Sequence, residues 1–487
     1  MYVNPFQVSL DTLIGAAPLL GHSLEDRSGI RAAQDWSIAQ RVQAVSTIKL
    51  RDPSQRDLFC VAPLDILVTE TAGEKRFHII EINGTGIGGL TNLPGAVVGS
   101  VLDGLCGWVE RLAEPDALVL VASSGKECDE QPRLNRLLHE KVLYAEALKR
   151  GFDQTGRPAD VLTTTALARD PSALRQMRPA IVLGYIKDFL EHLQCDADGK
   201  LWLFGRRVHA AVNDRFCLNV LHHFGHRVDL AAWRTMNRGF LAGADKGIAY
   251  GLLNGYLRRQ PQRLLPVGVP FVRAATRNEL IDAVCGWLRA GRRAVIKPQG
   301  TGLGHGIQFF LDPEEPRMSI AERIDTSLRE TEQHYRLPGG ALPYTVCDFL
   351  DTCVIDREHH PLAGHRYELR VVVYRDGLRL KAFPSIVKIA SECFDPTGPS
   401  RLSLINNITA SAQAKQANGA EYMLPLMNRR TLELLGLSID EVGELCSALT
   451  GFMRFILDRV QDEPRSLGLP DHETHETAIA SHRGWAE

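Results

Sequence analysis

Apolar and polar positions in this chain follow two alternating periods. Five β-rich runs read as strands: FHIIEIN at 77–83, ALVLVAS at 117–123, AIVLGYI at 180–186, RAVIKP at 293–298 and ELRVVVY at 368–374. Amphipathic stretches such as 131–150 and 276–290 lie between them and predict helices. A further helical period runs through 431–460, with Leu445, Leu449, Phe452, Phe455 and Ile456 on its apolar stripe. Strands alternating with helices predict an α/β (α+β) architecture. The charged, Pro/Gly-rich segment 311–340 reads as surface loops and one short helix, and the polar tail 463–487 as an extension without a packed face.

Composition narrows the class of protein. The chain has 487 residues, 44% hydrophobic and 23% charged, which suits several packed subdomains. A net charge of −2 argues against nucleic acid as a partner, since phosphate binding needs a basic surplus. The ten cysteines form no CxxC pair and read as reduced thiols of a cytoplasmic protein. Residues 1–20 lack the basic start of a signal peptide, and no run of about 18 apolar residues predicts a membrane span.

Candidate chemistry begins with AVIKPQGTGLGHGIQFF, residues 294–310. A strand ends at Lys297-Pro298, then Gly300, Gly302, Gly304 and Gly306 alternate before a second strand. Glycines at this density let backbone N–H groups approach phosphate oxygens, and a lysine adds a point charge. The layout is strand–loop–strand, unlike the strand–loop–helix of a Walker loop. A plain glycine-rich hairpin is the simpler alternative.

These residues resemble the ATP-grasp superfamily, whose members carry a strand lysine followed by a glycine-rich lid loop. The segment 243–272, with Asp245-Lys246 opening a helix that leads to Gly268-Val269-Pro270, is similar to that family's earlier lysine segment. The resemblance implies that Lys246 and Lys297 are the two phosphate lysines. It also implies that Asp348, Phe349 and Leu350 in TVCDFLD form the hinge that reads adenine and ribose, with Asp348 in place of the usual Glu. It makes Arg370 a phosphate-facing, catalytic cation together with Lys297, and puts Asn407 near the phosphates. For Glu368 and Arg370 the competing reading is burial against structural partners; for Lys246 it is a solvated helix lysine.

The acidic metal ligands of such a site are absent from 408–487 but occur early in the chain. Asp65 stands on one β-run and Glu81-Ile82-Asn83 ends the next. Alternation puts Glu81 and Asn83 on one face, where carboxylate and amide oxygens suit Mg²⁺ or Mn²⁺. The expectation is a circularly permuted ATP-grasp fold, its last part moved to the front. EINGTGIGGL (81–90) and KPQGTGLGHG (297–306) resemble eukaryotic-type glutathione synthetases in motif and order. Where that family has a metal-binding acid, this chain has Thr301. In VHAAVNDRF (208–216), similar to a strand near that family's substrate region, Arg215 becomes a candidate for a substrate carboxylate.

The implied organisation is a metal-strand segment at 1–95, a Rossmann-like substrate or pre-ATP subdomain at 96–240, ATP-grasp subdomains at 241–345 and 346–462, and a tail at 463–487. The implied activity is an ATP-dependent carboxylate–amine ligase using ATP and Mg²⁺, with small-molecule substrates, no nucleic acid or membrane partner, and a homodimer left open. Rival readings are an NAD(P) or flavin enzyme, using Gly84, Gly86, Gly89 and Asp103 as a dinucleotide fingerprint, an ATP-grasp kinase, and a degenerate ATP-binding protein. His222, His223 and His226 read as surface histidines, because Gly225 interrupts their helix.

Overall fold

Each of the five β-rich runs forms a strand, and the amphipathic stretches between them form helices, in the computed structural model of the chain. The structure describes residues 33–84, 93–123, 136–175, 178–212, 214–229, 232–237, 245–260, 266–301, 304–335, 342–404 and 422–462. In chain order the elements begin with α1 (Trp36–Ser46), β1 (Ile48–Lys49), β2 (Val61–Thr71), β3 (Glu74–Ile82), α2 (Gly95–Glu110), β4 (Leu118–Ser123) and α3 (Arg136–Gln154). Next come β5 (Asp160–Thr163), α4 (Thr164–Arg169), β6 (Ala180–Tyr185), α5 (Ile186–His192), β7 (Leu193–Cys195), β8 (Leu201–Leu203), β9 (Arg206–Arg207), β10 (Ala210–Val212), α6 (Asp214–Phe224) and β11 (Arg234–Met236). The second half contains α7 (Lys246–Arg259), β12 (Phe271–Ala274), α8 (Arg277–Arg289), β13 (Ala294–Pro298), β14 (Gln308–Phe310), α9 (Arg317–Tyr335) and β15 (Tyr344–Asp348). The last elements are β16 (His365–Asp376), β17 (Arg379–Cys393), α10 (Arg401–Leu404), β18 (Met423–Pro425), α11 (Arg429–Leu435) and α12 (Ile439–Asp462).

Strands from opposite ends of the chain share one sheet. Its order is β1-β17-β16-β2-β3, with β18 on β17, and every pairing is antiparallel. Leu369, Val371, Val372 and Val373 are all fully buried in succession, so both faces of β16 are covered. That is why this run reads as continuously apolar rather than alternating. In α12, Val442, Leu445, Leu449, Phe452, Met453 and Ile456 supply a buried stripe at helical spacing. They join α1, α7 and the large sheet in one core.

A second sheet is wholly parallel, in the order β11-β10-β4-β6-β5. Val119 and Val121 face the core shared with α2, α3 and the large sheet; Leu118, Leu120 and Ala122 face a separate core with α5 and α6. Asn237 fastens the two sheets together. Its side chain accepts from the Cys60 amide at 2.7 Å and donates to the Val61 carbonyl.

The third sheet, β12-β15-β13-β14, is antiparallel and packs on α8 and α9. Here the reading of 311–340 needs correction, because α9 is a 19-residue helix. Its inner face mixes Ile320 and Ile324 with Ser327 and Thr331, all essentially inaccessible to solvent. The two hydroxyls are satisfied by the Tyr344 phenol and nearby carbonyls, so a buried face is disguised as a polar one. The small antiparallel sheet β7-β8-β9 completes the set. Among the described residues, no helix is long and apolar enough to cross a membrane.

Candidate active site

A row of charged side chains crosses the large sheet. Asp65 on β2 lies opposite both Glu81 on β3 and Arg370 on β16, and Glu368 lies opposite Lys388 on β17. Directly opposed residues put their side chains on one face, as do residues two apart on a strand. Arg370 grips Asp65 with two hydrogen bonds of 2.7 Å, a fork-to-carboxylate geometry. Lys388 bridges Asp65, at 3.1 Å, and Glu368, which it contacts closely. The Asn83 side-chain amide donates to Asp65 at 3.1 Å.

The helix carrying the earlier lysine docks onto this row. Asp245 caps α7 by accepting from the Gly247 and Ile248 amides, which puts Lys246 in the first turn. The second Asp245 oxygen accepts from Arg273 at 2.7 Å and from Gln299 at 2.9 Å, tying the cap to the glycine loop. The Lys246 ammonium lies 3.3 Å from Glu81. One turn on, Tyr250 donates to the Ile80 carbonyl at 3.1 Å and accepts from Lys297 at 2.8 Å. Ile80 is skipped in the β2–β3 register, and the bulge aims its carbonyl at the phenol. Residues 65, 81, 83, 246, 297 and 370 thus converge from four separate stretches of chain.

The glycine loop joins β13 to β14 as an antiparallel hairpin. Gly306 has φ +70°, and a Cβ there would meet Thr331 at 2.4 Å, so conformation and close approach to α9 both require glycine. Gly300 and Gly304 also have positive φ. Gly302 and Asn407 lie outside the described residues, as do Gly86 and Gly89. Thr301 is buried and has weak contacts with the carbonyls of Pro298 and His305.

Several expectations change. Arg370 and Glu368 take the alternative of buried pairing, since each faces a partner on its own sheet. Lys246 is a buried, paired lysine and not a solvated one. Asp348 accepts a two-point bond from Arg292 and a further bond from the Trp287 indole, so its carboxylate is held against α8 and the turn beyond. The Phe349 amide donates to the Arg293 carbonyl at 3.0 Å. The rings and chains of Phe349 and Leu350 join Ile307 and Phe309 over Val269, Phe271 and Val295, an apolar patch beside Lys297. Arg215 is the second residue of α6, and its side chain lies outside the described residues; so do those of His222 and His226, while His223 is exposed. The dinucleotide reading finds no support in the topology: among the described residues β3 pairs only with β2, antiparallel, whereas that fingerprint needs a parallel β-α-β unit.

Four residues of the cluster had no role in the sequence reading. Tyr250 was within reach of it, because a residue four beyond Lys246 shares its helix face. Lys388, Gln299 and Arg273 carried no local signal, since their partners are set by sheet register and by the loop.

Electrostatics fits a tightly held cluster. Burial pushes the Asp65 carboxyl up, but Arg370 and Lys388 outweigh it and hold it well below the usual range. Burial dominates at Glu368 and pushes that carboxyl up to about 7 against the pull of Lys388. Between the ordinary value of 4.5 and about 7, the folded chain keeps a proton that the unfolded chain has released. The contribution of Glu368 to stability is therefore present below 4.5 and lost as pH rises through about 7. Glu368→Gln is expected to flatten the fall in stability between about pH 5 and pH 8 by about 1–3 kcal/mol, read from denaturation curves across that range. Parallel curves for the two proteins would refute it.

Among the described residues, no group of three His, Cys, Asp or Glu is placed to hold a metal. Asp65 spends both oxygens on cations, which leaves Glu81 and Asn83 as the oxygen donors at the row's open end. One carboxylate and one amide suit Mg²⁺, which takes one or two carboxylates and completes its shell with phosphates and water.

The chain matches no protein-family model, and no curated protein matches it. Among solved structures it is similar to a protein provisionally named a gamma-glutamylcysteine synthetase from Methylobacillus flagellatus KT, at 11% identity and TM-score 0.36, over 92% of this chain and 95% of that one.

Proposed function

We propose that the chain is an ATP-dependent carboxylate–amine ligase on a circularly permuted ATP-grasp framework. One observation carries this reading: Lys246 and Lys297, from either side of β12, meet the strand of Glu81 from the start of the chain, directly at Glu81 and through Tyr250 at the bulged Ile80. In the usual order of such folds the acidic strands come last; here β2 and β3 come first, β2 pairing with β16 and β3 with β2. The apolar patch around Phe309 and Phe349 offers a face for a base next to those lysines.

In this reading Lys246 and Lys297 balance phosphate charge, and Gln299 with Asp245 positions the glycine loop. Arg370, held by Asp65, contributes a fixed positive field rather than a mobile contact. Glu81 and Asn83 would hold Mg²⁺, whose chemistry is neutralising the triphosphate and orienting its terminal phosphoryl group. Phosphoryl transfer to a substrate carboxylate gives an acyl phosphate, which an amine displaces with release of phosphate. Closure of the loop would keep water from that intermediate.

The test is thermal unfolding with MgATP or NAD, followed by an ADP-release screen over amino acids and small carboxylates. Saturating MgATP is expected to stabilise the chain by about 2–4 kcal/mol, with no effect of NAD. Equal indifference to both would end the proposal.

A further inference from the structure

The parallel sheet and the helix α3 packed on it carry two buried polar groups that lack a hydrogen-bond partner. The Lys141 ammonium and the Ser123 hydroxyl have no hydrogen-bond partner, and both residues are at least nine-tenths buried. Glu140, buried beside Lys141, has a partner of its own. The Lys141 ammonium lies 5.6 Å from the ring of Tyr144, one turn on, whose side chain is in the core shared with Val119 and Val121. Lys141 therefore projects from the face of α3 that covers the sheet.

Strand alternation puts Ser123 on that same face. It ends β4, two residues beyond Val121, and lies opposite Tyr185 at the end of β6. α3 follows β4 and packs on β4 and β6; Lys141 is the sixth residue of α3 and Ser123 the last of β4, and a crossover helix runs back from the carboxyl end of its strand, which puts both residues toward that end of the sheet. β4 is also where the strand order reverses, with β6 and β5 on one side and β10 and β11 on the other. Ligands of open parallel sheets bind outside the carboxyl ends at such a point. Asn237, just past the carboxyl end of β11, fastens this edge to Cys60 and Val61, which lead into the strand of Asp65.

An ammonium buried beside one aromatic face and without a hydrogen-bond acceptor carries a desolvation cost that the ring offsets only in part, and an anionic ligand would offset the rest. We infer that Lys141 and Ser123 bind the carboxylate of a small organic acid at the carboxyl edge of the parallel sheet. Naming that acid as a substrate rests on the ligase reading; the binding site itself does not.

The test is thermal unfolding of the full chain at constant ionic strength, with chloride replaced by succinate, L-glutamate or inorganic phosphate. At least one carboxylate should raise the transition saturably. Lys141→Met should shift its midpoint to a concentration at least about tenfold higher, the loss of one charge-assisted bond, while Lys141→Arg stays within a few-fold. Ser123→Ala should weaken the response by about three- to tenfold. The shift with MgATP should be unchanged in all three variants. A response to phosphate alone, or an equal carboxylate response in wild type and Lys141→Met, overturns the inference, as does the absence of any saturable response. If MgATP fails to stabilise the wild type while Lys141→Met still loses the carboxylate response, the ligase reading falls and this site stands.

Discussion

Asp65→Ala is expected to destabilise the fold by about 3–5 kcal/mol, more than any other single change in the cluster. The reason is what it leaves behind. Arg370 and Lys388 both direct their charge at this carboxylate from inside a covered sheet, and neither is more than about a tenth exposed at the side chain. Removing the acceptor takes the main counter-charge from Arg370 and leaves Lys388 with Glu368 alone, both inside a covered sheet. Asp65→Asn keeps the shape and one acceptor oxygen, so its cost should fall between wild type and alanine. The pairwise change Asp65→Leu with Arg370→Met removes both ends of the closest pair and should recover part of the loss, though not all, because Lys388 still loses a partner. Thermal or chemical denaturation of the four proteins reads this order directly. An alanine variant within about 0.5 kcal/mol of wild type would mean that the row is not the buried network described above.

The same row shows where sequence reasoning reaches and where it stops. Glu81 and Asn83 could be put on one face, because strand alternation is local. The positive-φ glycines of the loop and the Asp245 cap were legible for the same reason. That Arg370 grips Asp65 depends on a pairing across 305 positions, which no local pattern encodes. The partners of Asp348 were hidden for a similar cause: Trp287 and Arg292 reach it from the far end of α8 and the turn beyond, and only the folded sheet brings them there. The helix α9 was missed because hydroxyls stand in for apolar residues on its inner face. Periodicity thus recovered the five β-rich runs and the helices of the amphipathic stretches, while other strands and the charge partners had to come from the fold.

Glu81→Gln and Lys297→Met are expected to lower MgATP-dependent ADP release by at least about 10³-fold, with a loss of stability of no more than about 1–2 kcal/mol. Both side chains are held lightly: Glu81 is about a quarter exposed and pairs with Lys246, and Lys297 makes one bond to a phenol. Glutamine retains an acceptor for Lys246, so the fold is spared while the negative charge is lost. The two variants should then differ in kind. If Glu81 supplies a metal oxygen, Glu81→Gln raises the Mg²⁺ concentration needed for half-maximal MgATP stabilisation, because a neutral amide binds a hard cation less well. Lys297→Met should weaken the nucleotide response and leave the Mg²⁺ requirement unchanged, since its charge is directed at phosphate. Titrating Mg²⁺ at fixed ATP separates the two, and an unaltered requirement in Glu81→Gln would remove β3 from the metal site even if turnover fell.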